Sequence, residues 1–142
     1  MPLIEVNKTA FIQMQQDAEN SFPNECCGFF FGKEENGKRR VFQSTEVINS
    51  KEGDQRRRFE ISAFDYMKAE QYALENELDL LGVYHSHPQH PAIASEHDLA
   101  KAMPYFSYII LSVQDGQYDH IKSWRLKDEV RQFEEEKIII QS

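Results

Sequence analysis

The chain has 142 residues, with 16 Lys and Arg against 24 Asp and Glu and a formal net charge of −8; at this size one core can offset chain entropy without disulfides or a structural metal. The acidic excess opposes the phosphate contacts on which nucleic-acid binding rests and argues against DNA and RNA as partners. No stretch of about twenty apolar residues is present to span a bilayer, and Met1-Pro2-Leu3-Ile4-Glu5 starts no secretory pattern, so one cytoplasmic domain over residues 1–142 is expected.

In chain order, the three-and-four spacing of Phe11, Met14 and Ala18 predicts a helix from Lys8 to about Asn20, closed off before Pro23. Cys26 and Cys27 are adjacent, which makes a mutual disulfide awkward, and they read as reduced thiols that pack as small apolar residues. Cys27 to Phe31 is apolar without alternation, as in a strand covered on both faces, and Glu34-Glu35-Asn36-Gly37 is a hairpin turn into a strand from Arg39 to Ile48. Residues 49–57 are a polar loop, and Arg56-Arg57-Arg58, ahead of Phe59, reads as a solvated strand entry rather than a docking patch. Ser62 caps a second helix with Asp65 in its first turn and Phe64, Met67, Leu74 and Leu78 on one apolar face.

That helix returns the chain to the apolar run Leu80-Leu81-Gly82-Val83-Tyr84, which reads as a buried strand and ends in His85-Ser86-His87-Pro88. Histidines two apart on a strand leave the same face. Asp98 adds an oxygen ligand, and three protein ligands leave the fourth tetrahedral position of a Zn²⁺ for water, the arrangement of a hydrolytic site. Ser95-x-x-Asp98 is also a helix N-cap; a serine so fixed, or its neighbouring N–H, can donate to an oxyanion near the metal. Other His-x-His metal classes fail on spacing. A binuclear His-x-His-x-Asp-His site needs aspartate where Gln89 stands, and zinc deaminases need His-x-Glu where this chain has His87. His90 and His97 are then surplus rim histidines that either do nothing or tune the metal from outside its ligand set, and His120 is a strand residue. Downstream, Asp98 to Met103 reads as a short helix, Tyr105 to Val113 as a strand and His120 to Leu126 as its hairpin partner across Gln114-Asp115-Gly116. Val130 to Phe133 and Ile138 to Ile140 read as short strands around an acidic turn, although Glu134-Glu135-Glu136 suits a helix equally well. Interleaved helices and strands predict an α/β fold, a sandwich on a mixed sheet.

The order His85-Ser86-His87-Pro88, six residues, then Ser95-Glu96-His97-Asp98 resembles the JAMM (MPN-plus) metallopeptidase family. Asn24-Glu25-Cys26-Cys27-Gly28-Phe29 and the segments Phe106 to Val113 and Ile121 to Leu126 look like its short bacterial members, so the resemblance covers nearly the whole chain. Ala94 departs from it, because many relatives have proline just before the serine. The resemblance implies a single-domain α-β-α sandwich with a mixed, mostly antiparallel sheet, similar to cytidine deaminases. It further implies one Zn²⁺ per chain on His85, His87 and Asp98, Glu25 as the catalytic base and Ser95 as oxyanion donor. The implied substrate is the bond after the Gly-Gly tail of a ubiquitin-like or sulfur-carrier protein, with small peptides or amides still open. The rival is a non-catalytic MPN scaffold for protein interaction; such members lack zinc ligands, whereas here every ligand position is filled.

Overall fold

The computed structural model describes residues 2–127 and 129–142. Its elements follow the order β1 (Leu3–Val6), α1 (Lys8–Ser21), β2 (Cys27–Glu35), β3 (Lys38–Val47), α2 (Ala63–Glu75), β4 (Asp79–Pro88), α3 (Glu96–Lys101), β5 (Ser107–Gln114), β6 (Gln117–Lys127) and β7 (Gln132–Ile140). The sheet is mixed and mostly antiparallel. β2 with β3, β2 with β4, β5 with β6 and β6 with β7 run antiparallel, while β4 pairs in parallel with β5. The short β1 pairs in parallel with both β3 and β7 and thereby closes the sheet into a barrel, in the order β1-β3-β2-β4-β5-β6-β7. Closure removes two free edges that would otherwise invite pairing with other chains. β1 has only four residues and no sequence signal of its own, so neither it nor the closure was expected.

Helices lie against both faces of the sheet, as an α-β-α arrangement requires. Asn7 caps α1 by accepting from the Ala10 N–H, and Ala10, Met14 and Ala18 pack with Ile4, Val6, Phe30, Tyr84, Ile109 and Leu111. Phe11 sits at the margin, its ring edge-on to Tyr118 at 5.4 Å. The other face carries Phe29, Phe31, Val83 and Tyr108, covered by α2. Ser62 caps α2 as expected, with Asp65 in the first turn. Its buried stripe, however, is Ala69 and Ala73 with Tyr66 beside them, not the predicted Phe64, Met67 and Leu74, which are exposed. Small residues let the helix axis approach a sheet already filled by phenylalanines; of the predicted face only Leu78, just past the helix, packs inward.

The β2–β3 and β5–β6 turns are Asx-Gly pairs with positive φ at each residue, Asn36-Gly37 and Asp115-Gly116. β7 corrects the expectation for the C-terminal segment: it is one continuous strand, with neither an acidic turn nor a helix. Glu136 points inward and accepts from Ser123 Oγ at 2.7 Å and Arg125 Nη2 at 2.6 Å, whereas Glu134 and Glu135 pair outside with Lys127 and Lys122. Cys26 and Cys27 are buried free thiols, and burial pushes them up, Cys27 to about 12, so packing is their role. Among the described residues no helix is long and apolar enough to cross a membrane.

Candidate metal centre

β4 is the hinge of the site. It runs antiparallel to β2 on one side and parallel to β5 on the other, and the β4-to-β5 crossover carries α3. Sites commonly open at such switch points, beyond the carboxyl ends of parallel strands. The close pairing needs Gly82, where a Cβ would run into the Ser107 carbonyl. Alternation along β4 sends Tyr84 into the α1 core and His85 and His87 to the other face, where both are buried. Ser86, between them, accepts the Cys26 N–H at 2.8 Å and so fixes the entry to β2, just after Glu25.

Asp98 comes from the first turn of α3. Ser95 Oγ accepts from the Asp98 N–H and Asp98 Oδ2 accepts from the Ser95 N–H, a reciprocal capping box that locks the carboxylate rotamer. His85 Nε2 and His87 Nε2 lie 3.3 Å apart, and Asp98 straddles them, 3.4 Å from the first and 3.2 Å from the second. A tetrahedral Zn²⁺ with ligands at about 2.0–2.1 Å has ligand-to-ligand edges of about 3.3–3.4 Å, so these separations match one face of the tetrahedron. The donor chemistry agrees. His87 Nδ1 faces the Pro91 carbonyl at 2.9 Å; a carbonyl only accepts, so Nδ1 holds the proton and a neutral ring turns the Nε2 lone pair toward Asp98. Lone pairs of imidazole and carboxylate facing one another call for a cation, or protons, between them. Among the described residues this is the one cluster of three such ligands.

In the second case, with protons between these groups and no cation, burial and the neighbouring residues set the charges. Burial, aided by the neighbouring His87, holds His85 below its ordinary value against the pull of Asp98. Burial also opposes charge on His87, but hydrogen bonds to Asp98 and the Pro91 carbonyl hold that ring above its ordinary value. Asp98 lies well below the usual carboxylate range; burial is overcome by the charge of His85 and by hydrogen bonds from both imidazoles and the Ser95 N–H. Glu25 is buried, 7% exposed, and lines one cleft with His87 and Asp98. Burial pushes its carboxyl up to about 8, with Asp98 adding to the shift and His87 and Arg58 opposing it.

Sequence reasoning therefore located the residues that converge: His85, His87 and Asp98 form the cluster, and Glu25 and Ser95 line the same cleft. His90 lines its rim and His97 an aromatic pocket on the far side of His85, with Phe59, Tyr66 and Tyr108. The structure adds supporting residues with no motif. Phe59 stacks on the His85 ring at 4.6 Å. Asn49 Nδ2 donates to the carbonyls of both Glu25 and Arg58. His120 is a β6 residue, as expected, but its Nε2 also accepts the Ala92 N–H while Trp124 Nε1 donates to the Ala92 carbonyl, pinning the loop between histidines and serine. These contacts join residues distant in the chain, so no local spacing announces them. Arg56 and Arg57 are exposed as expected, but Arg58 is half-buried in the wall of the cleft, on a loop rather than at a strand entry.

Residues 7–127 match the family model described as prokaryotic homologs of the JAB domain. A curated relative, desampylase from Pyrococcus furiosus, is 32% identical over 118 residues, 82% of this chain and 76% of that protein. Solution structures of proteins from Desulfitobacterium hafniense (27% identity, TM-score 0.84, covering 98% of this chain and 93% of that one) and Salinibacter ruber (35%, TM-score 0.74, 97% and 92%) share the fold. So does the crystal structure of a JAB1/MPN domain protein from Archaeoglobus fulgidus (14%, TM-score 0.60, 97% and 99%). Within this chain His85, His87 and Asp98 form one cluster of potential metal ligands, and the chain belongs to the prokaryotic JAB/MPN domain family.

Proposed function

We propose that this protein is a zinc-dependent peptidase or isopeptidase that hydrolyses the bond after the Gly-Gly tail of a ubiquitin-like or sulfur-carrier protein. The observation that carries the reading is the triangle of His85, His87 and Asp98, with the edges of a zinc tetrahedron and Glu25 lining the same cleft. His85 and His87 would hold the metal through Nε2 and Asp98 through its carboxylate; zinc, when bound, supplies a Lewis acid and lowers the pKa of a water to about 7. Glu25 takes the proton that the attacking water loses and passes it to the leaving nitrogen. A nearby dication favours its carboxylate form against the burial that otherwise keeps it protonated. The Ser95 Oγ accepts from the Asp98 N–H and keeps its own hydrogen free to donate to the acyl oxygen as charge builds there. Glycines before the scissile bond bring backbone close to the centre with no side chain in the way. The desampylase relative supports a modifier as substrate. Two buried free thiols suit the cytoplasm.

The test is hydrolysis of a folded ubiquitin-like protein carrying an extension after Gly-Gly, with zinc and with chelator. Cleavage after the second glycine, lost with chelator and lost when the glycines become bulky, is the expected result. Glu25→Gln should keep zinc while activity falls roughly a hundredfold or more. No cleavage by the zinc-loaded protein refutes the reading, and cleavage indifferent to the glycines reduces it to a general zinc peptidase.

A further inference from the structure

Between Gln89 and Ser95 the loop from β4 to α3 is exposed except at Ala92, which is buried, and Ala94, which is half-buried. β5 holds the start of this loop, through the Gln89 N–H on the Val113 carbonyl at 2.7 Å and Ser112 Oγ on the His90 carbonyl at 2.5 Å. β6 holds its middle twice. Trp124 Nε1 donates to the Ala92 carbonyl at 3.0 Å, and the Ala92 N–H donates to His120 Nε2 at 3.0 Å. A ring nitrogen that accepts carries no proton, so the neutral His120 imidazole holds its proton on Nδ1, which lies 2.6 Å from Asp119 Oδ2.

The two contacts on Ala92 engage different peptide groups. Trp124 grips the one joining Ala92 to Ile93, whereas His120 grips the one joining Pro91 to Ala92, whose carbonyl faces His87 Nδ1 at 2.9 Å. In a planar trans peptide N–H and C=O point opposite ways, so His120 on one side aims the carbonyl at His87 on the other. Every donor in the series then runs the same way, from His87 Nδ1–H to the Pro91 carbonyl, from the Ala92 N–H to His120 Nε2 and from His120 Nδ1–H to Asp119, and each bond polarises the next. We propose that His120 is a positioning residue of the metal centre, acting through the Pro91–Ala92 peptide to hold the His87 ring in one orientation and one tautomer, with Nε2 turned to the ligand cluster. This role presupposes the zinc site of the proposed hydrolase. Ligating histidines are commonly anchored through their other nitrogen, and loss of such an anchor costs about ten- to a hundredfold in metal affinity. Here the anchoring carbonyl is itself held, by an imidazole from a strand that contributes no ligand. Asp119 is exposed, so solvent screens its charge and the effect falls mainly to the imidazole and the buried peptide N–H.

The test is zinc affinity, measured by competition with a chelator, in the parent and three variants. His120→Phe keeps a ring on β6 but removes the acceptor, and should weaken zinc about tenfold or more. His120→Gln, whose Oε1 can take the Ala92 N–H, should recover part of the loss. Trp124→Phe also breaks a bond to Ala92 but leaves the Pro91–Ala92 peptide gripped, and should leave the affinity nearly unchanged. Because β5 still holds the start of the loop, all three should fold. In the zinc-loaded proteins the His87 Nδ1–H, followed by proton–nitrogen NMR, should resist exchange with water in the parent and in Trp124→Phe and exchange faster in His120→Phe. Equal affinity in the parent and His120→Phe, equal weakening in His120→Phe and Trp124→Phe, or fast exchange of that proton in the parent overturns the role of His120 and leaves the zinc hydrolase standing. A parent that takes up no zinc removes the metal site and the role of His120 with it.

Discussion

Glu25 should be bad for stability and good for catalysis, and the two effects can be separated. In the metal-free protein burial pushes its carboxyl to about 8 from an ordinary 4.5, and among the described residues no hydrogen bond supports the charged form. The group is raised on folding, so its favourable contribution is complete below about pH 4.5 and is lost as pH rises through 8. The difference of about 3.5 pH units, at 1.36 kcal/mol each, is about 5 kcal/mol, an upper bound because water entry and small shifts of Arg58 would relieve part of it. Glu25→Gln keeps the shape and removes the charge. In chelator, urea unfolding should find the variant and the parent equal near pH 4, with the variant more stable by several kcal/mol near pH 9. Zinc should narrow the gap, because a dication in the same cleft favours the carboxylate. A destabilised variant, or a gap that does not change with pH, would refute the argument that Glu25 is held as a buried, unmatched acid.

Other outcomes follow from the same contacts. Metal analysis should find about one zinc per chain, and His87→Ala should abolish it, since two remaining ligands rarely hold Zn²⁺ tightly. Ser95→Ala should lower kcat and also cost about 1 kcal/mol through loss of the cap, so kinetics and thermal unfolding must be read together, with Ser95→Thr restoring stability. Glu136→Ala should cost about 3–5 kcal/mol by leaving Arg125 and Ser123 without their buried acceptor; a shift in unfolding midpoint corresponding to less than 1 kcal/mol would show that this pair contributes little.

The ligand set is legible in the sequence because each part of it is local. Alternation puts His85 and His87 on one face of a strand, and a capping box aims Asp98, so spacing alone carries the chemistry. The Asx-Gly turns and the Ser62 cap are legible for the same reason. Where apolarity is the only guide, the sequence misleads. Phe64, Met67 and Leu74 form a convincing face, but the sheet beneath α2 is already filled by Phe29 and Phe31 and admits alanines. Glu134-Glu135-Glu136 resembles a turn or a helix until β6 supplies an inward arginine for Glu136 and outward lysines for its neighbours. Closure of the barrel by β1, the grip of His120 and Trp124 on Ala92, and the sharing of one cleft by Arg58 and Glu25 all depend on residues far apart in the chain. Such contacts exist only once the whole chain has paid the entropy of folding, so only the tertiary structure decides them.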